Sequence, residues 1–203
     1  MRSITHRIRR AMRGARIVTA LAILVASAAL AAAQGEKGPE QPKDEPGSQL
    51  IGDGTIVPGH RVGPLRLAMT IEQILPLMPR NVKREVFSGQ RIILYEWYQQ
   101  GVWVSLDEGT KAVRLLSVFG SAPYKTDKGV QLLHAESRMR EVYGKETKRY
   151  EYPEDRLTLV RYVPLGLQFG LVNQPSNRML HGRIFTIGVF VPGREPPLTK
   201  TPR

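Results

Sequence analysis

The stretch Arg91-Ile-Ile-Leu-Tyr-Glu-Trp97, followed by Tyr98-Gln-Gln-Gly101 and Val102-Trp-Val-Ser-Leu-Asp107, decides how the rest of the chain is read. Val102, Val104 and Leu106 alternate with Trp103, Ser105 and Asp107. A period of two places alternate side chains on opposite faces of a strand, so one face packs on a core and the other meets solvent. Gly101 closes a turn, so Arg91–Trp97 and Val102–Leu106 read as a hairpin. If Tyr98–Gly101 is a four-residue loop, Tyr95 and Trp97 share the core face with Val102 and Val104. Glu96, Trp103 and Ser105 then point outward.

The same pattern recurs. Shifting the chain by 65 positions lays Arg91 on Arg156, Trp97 on Tyr162, Gly101 on Gly166, Val102 on Leu167 and Val104 on Phe169. Leu65 and Leu67 fall on Val130 and Leu132, and Ile74 on Met139. After a six-residue insertion near 173–180, Val113, Leu116, Val118 and Phe119 fall on Ile184, Ile187, Val189 and Phe190. This is the signature of an internal repeat. On it Arg161 and Gln168 match Glu96 and Trp103, and belong on the same outer face.

Each unit begins with a helical signal. Thr70-Ile-Glu-Gln73 has the form of a capping box, and Ile71, Ile74, Leu75 and Met78 follow at helical spacing. Pro76 keeps that helix short or kinked, because it lacks an N–H and crowds the preceding turn. In the second unit Glu136 favours a helix start, Met139, Val142 and Tyr143 form an apolar face, and Gly144 suits a stop. Further strands are expected at Val86–Phe87, Ala112–Phe119, Lys148–Tyr152, Leu157–Tyr162, Leu167–Val172 and Arg183–Val191. The expected fold is therefore α+β: two tandem repeats, each a short helix packed on an antiparallel β-meander, over 54–124 and 125–192.

The flanks differ in composition. A basic Met1–Arg16 precedes an apolar run, Ile17–Ala33, that ends in three alanines. That is the layout of a cleaved signal peptide over 1–33. An uncleaved anchor is the rival reading, since a run of 17 residues reaches the lower limit of a membrane span, about 17–25 residues. Residues 34–53 and 193–203 are rich in Gly, Pro and charge and read as a disordered linker and tail. The net charge is +12, but six of the 30 basic residues lie in the first 16, leaving +6 spread along the remainder. No nucleic-acid partner is expected, and a membrane only if the leader is kept. With no cysteine, disulfides, thiolate nucleophiles and thiolate metal sites are excluded.

The phrase Val62-Gly-Pro-Leu-Arg-Leu-Ala-Met-Thr-Ile-Glu-Gln-Ile74, leading to a helix and then a meander, resembles a recurrent motif. It is similar to that of the outer-membrane assembly lipoproteins of the SmpA/OmlA (BamE) type and of the secreted β-lactamase-inhibitor protein. The likeness covers about residues 55–191. It implies a non-catalytic protein-binding module of the cell envelope. The lipidated cysteine of the assembly lipoproteins is absent here.

Signals for chemistry are sparse. His6, His60, His134 and His181 are scattered, with no paired metal-ligand spacing. No nucleophile elbow, Walker loop or dinucleotide fingerprint is present. Asp107-Glu108 and Glu154-Asp155 fall at turns, where carboxylates cap. Lys145, Lys148 and Arg149, followed by Tyr150 and Tyr152, read as a solvated edge strand. Neither a cofactor nor a metal nor a catalytic residue is expected. The functional expectation is an exported protein that binds another protein of the envelope or extracellular space. Trp103 is the anchor, ringed by Glu96, Ser105, Arg161 and Gln168. The alternative is an exported hydrolase with a site in the groove between the repeats.

Overall fold

The computed structural model describes residues 51–120 and 123–198. The leader, nearly all of the proposed linker, and residues 199–203 lie outside that range.

Alternating residues build a large sheet of eight strands. They are β4 (Lys83–Phe87), β5 (Ile92–Trp97), β6 (Val102–Asp107), β7 (Val113–Phe119), β9 (Lys148–Tyr152), β10 (Leu157–Tyr162), β11 (Leu167–Val172) and β12 (Ile184–Val189). The sheet order is β4-β5-β6-β7-β12-β11-β10-β9. Two four-strand meanders thus meet at an antiparallel β7–β12 seam, where Val118 faces Ile187 and Ser117 faces Gly188. Trp97 pairs with Val102, so the hairpin loop is the four residues Tyr98–Gly101. Gly101 and Gly166 both take positive φ, 59° and 63°, as do Arg91 and Arg156 at 55° and 52°.

A second, small sheet has the order β3-β2-β1-β8. Its strands are β1 (Thr55–Val57), β2 (Arg61–Val62), β3 (Leu65–Arg66) and β8 (Lys125–Thr126). β8 lies parallel to β1, pairing Ile56 with Thr126. Ile56, Val62 and Leu65 are completely buried and share one core with Val104, Leu116, Phe169 and Ile187 of the large sheet.

This architecture corrects the expected α+β class. The described chain is mostly β, and it is not two helix-on-meander units. Its two α-helices are α1 (Ile71–Ile74), of four residues, and α2 (Glu136–Tyr143), of eight. Pro76 is the reason for the first: the chain tightens into a 3-10 turn at Leu75–Leu77 and leaves it in extended backbone at Met78. Gly144, at φ 75°, ends the second and donates its N–H to Arg140 O. Helices this short cannot roof eight strands, so the small sheet supplies much of the cover. Ile74 and Met139 still add completely buried side chains, each worth about 1.5–3 kcal/mol.

Candidate functional site: the outer face of the large sheet

The face turned away from the core carries one row of residues that crosses all eight strands. Successive cross-strand partners are Lys83, Glu96, Trp103, Ser117, Gly188, Gln168, Arg161 and Lys148. Four of the five residues singled out in the sequence, Glu96, Trp103, Arg161 and Gln168, lie in it. Ser105 is two residues along β6 from Trp103, opposite Leu115, and is half-buried.

Two matching pairs in the row use the same geometry with donor and acceptor exchanged. On β5–β6 the Trp103 Nε1–H donates to Glu96 Oε1 at 3.0 Å. On β10–β11 the Arg161 Nε–H donates to Gln168 Oε1 at 3.1 Å. Trp103 is half-buried, and its ring stacks on Phe119 at 4.4 Å between centroids and 25° between planes. The exposed Tyr98, from the hairpin loop, also lies near Phe119, at 6.3 Å between ring centroids. At the centre of the row the side chains shrink to Ser117 and Gly188. A Cβ on residue 188 would lie 2.6 Å from the Ser117 hydroxyl and 3.0 Å from Gln168 Cγ.

Charge separates the halves. Glu96 stands opposite Lys83, whose ammonium pairs with Glu85 at 2.6 Å. Arg161 instead stands opposite Lys148, and like charges directly across two strands repel. The C-terminal segment answers that repulsion. Glu195 Oε1 accepts from Arg161 Nη1 at 2.7 Å and from the Tyr150 hydroxyl at 2.6 Å, while Oε2 accepts from Lys148 Nζ. Arg161 Nη1 also donates to the carbonyl of Pro196 at 2.9 Å, and its guanidinium lies 5.4 Å from the Tyr150 ring centroid. Arg161 is only 2% exposed. Burial alone would raise the Glu195 pKa, but the bonds from Lys148, Tyr150 and Arg161 outweigh it and hold the carboxyl down at about 2.

The structure therefore brings Glu96 and Trp103 together on one half of the face, and Arg161 and Gln168 together beneath the tail on the other. Sequence reasoning missed Tyr98, Phe119 and Glu195. Phe119 was readable from the alternation of β7. Glu195 had one available signal: two cations, Lys148 and Arg161, opposed on one face and in need of an anion.

Elsewhere, polar groups satisfy turns. Asp107 accepts from the Gly109 and Thr110 N–H groups, at 3.0 and 2.7 Å, and pairs with Arg114. The Thr110 N–H above all, against the opposing effect of burial and helped by Arg114, holds its pKa at about 2. Arg149 pairs with Glu136 and Glu151, so it is internally neutralised. Among the described residues no group of three or more His, Asp or Glu side chains is placed to hold a metal ion. Nor is any described helix long and apolar enough to cross a membrane.

No protein-family model and no curated protein matches the chain. Among solved structures, the uncharacterised protein yfeY from Escherichia coli is similar over 72% of this chain and 99% of its own, at 12% identity and a TM-score of 0.42. A likeness that distant carries no argument about fold or function.

Proposed function

We propose that this chain is an exported, non-catalytic module of the cell envelope that binds another protein through the outer face of its large sheet. The observation that supports this most is the Trp103 site. A tryptophan whose N–H is tied to Glu96 and whose ring rests on Phe119 loses little freedom on binding. It presents a large amphipathic surface beside the exposed Tyr98. Rigid aromatic anchors of this kind dominate binding energy in protein interfaces.

The test is affinity capture from an envelope fraction with the full chain and with Trp103→Ala. A discrete partner is expected to be retained by the first and lost with the second. An identical captured set would contradict the reading. Export is checked separately by fractionation: a form shortened by about 33 residues, the length of the leader, is expected in the envelope fraction. An uncut, cytosolic protein would contradict it.

A further inference from the structure

Three donor groups, the Lys148 ammonium, the Tyr150 hydroxyl and the Arg161 guanidinium, converge on one carboxylate, and Arg161 also holds the carbonyl of Pro196. Charge-assisted bonds of this kind are short and about twice as strong as neutral ones. The occupant matches the site chemically. Glu195-Pro196-Pro197 supplies a carboxylate and carbonyls, and its prolines bring no N–H to a face already crowded with donors. Proline also holds the segment extended before it docks, which lowers the ordering cost. On the other half of the row Glu96 takes the place of Arg161, and the cation opposite it, Lys83, is paired with Glu85, so no external carboxylate is needed.

We propose that Lys148, Tyr150 and Arg161 form a docking site for an extended acidic peptide, a carboxylate residue followed by proline, belonging to the protein partner. The chain's own Glu195–Pro197 occupies that site in cis until it is displaced. This rests on the outer face being the binding face, and it adds the chemistry of the partner and a means of regulation. A tethered segment competes at an effective concentration on the order of millimolar. Below that concentration, only a partner that also engages the open half, at Trp103, gains enough to displace it. The tail then acts as a filter against stray acidic peptides.

The experiment uses a fluorescein-labelled Arg-Glu-Pro-Pro-Leu-Thr peptide, with Gln replacing Glu as its control. Anisotropy is read with the full chain and with Glu195→Gln. The variant is expected to bind the Glu peptide about tenfold or more tightly than the wild type does, and to prefer it over the Gln peptide by a similar factor. Adding Lys148→Gln or Tyr150→Phe to the variant should weaken binding several-fold, with far-ultraviolet circular dichroism unchanged. Equal affinity for wild type and variant, or no preference for Glu over Gln, overturns the proposal. A wild-type protein that dimerises through exchanged tails overturns the assignment in cis.

A second measurement avoids mutation. With Glu peptide in saturating excess, the heteronuclear NOE at the Glu195 and Leu198 amides of the wild type should fall to that of a free chain end, and an unchanged NOE overturns the proposal. If either peptide result is negative while Trp103-dependent capture persists, only the acidic-peptide assignment falls. Loss of that capture removes the reading beneath it.

Discussion

Arg161 and Glu96 occupy matching places on their hairpins, each bonded to the residue opposite it, and their opposite charges divide the face into two characters. Arg161 is buried with its counter-charge, so removing it strands less than removing Glu195 does: a freed Glu195 can swing into water. Arg161→Met is expected to release the tail and cost about 1–3 kcal/mol in chemical denaturation. A loss under about 0.5 kcal/mol, within the range of ordinary surface substitutions, would show that the contact is ornamental. Acid should act on the same contact. The Glu195 pKa in the folded chain, about 2, lies below its ordinary 4.5. Its contribution is therefore complete above about 4.5 and is lost as pH falls toward 2. The heteronuclear NOE at Glu195 and Leu198, followed from pH 6 to 2.5, should fall through that window in the wild type. In Glu195→Gln it should already be low and free of that step.

At the scale of elements, the strands of the large sheet were legible because each is five to seven residues long, is bounded by turn residues and, in β6 and β11, alternates in sequence. Burial on both faces did not hide β11 and β12, since turn glycines bound them. The small sheet was invisible for a physical reason. Strands of two or three residues are too short to show a period, and β8 pairs with β1 across some 70 residues of chain. Leu65, read within the phrase that leads into the first helix, in fact belongs to β3 of the covering layer. The helical signals at Thr70 and Glu136 were real but far weaker in extent than the expected class required. One turn tests the close packing around the second hairpin. A Cβ at Gly166 would meet the Phe190 carbonyl at 2.1 Å, at a φ of 63°, whereas Gly129, at φ 76°, has nothing within 4 Å. Gly166→Ala should cost about 3 kcal/mol or more in thermal or urea unfolding, and Gly129→Ala about 1 kcal/mol. Equal losses would mean that the loop yields easily and the close approach is not a constraint.

Across the whole molecule, the outer face is one surface with an aromatic, self-neutralised half and a cationic half closed by the tail. The hairpin pattern around Trp103 placed the right residues on that face, because alternation and a four-residue loop set the register of β5 and β6. It did not show that Arg161 and Gln168 are covered. Composition alone cannot reveal that one carboxylate in a proline-rich tail meets three donors from two strands. The most direct test of binding through this face is site-directed photocrosslinking in the native envelope. A crosslinker at Ser105, beside Trp103, is compared with one at Arg138, an exposed residue of α2. One discrete adduct is expected from Ser105, abolished by Trp103→Ala, and none from Arg138. The same adduct from both positions, or none from Ser105, would contradict binding through this face.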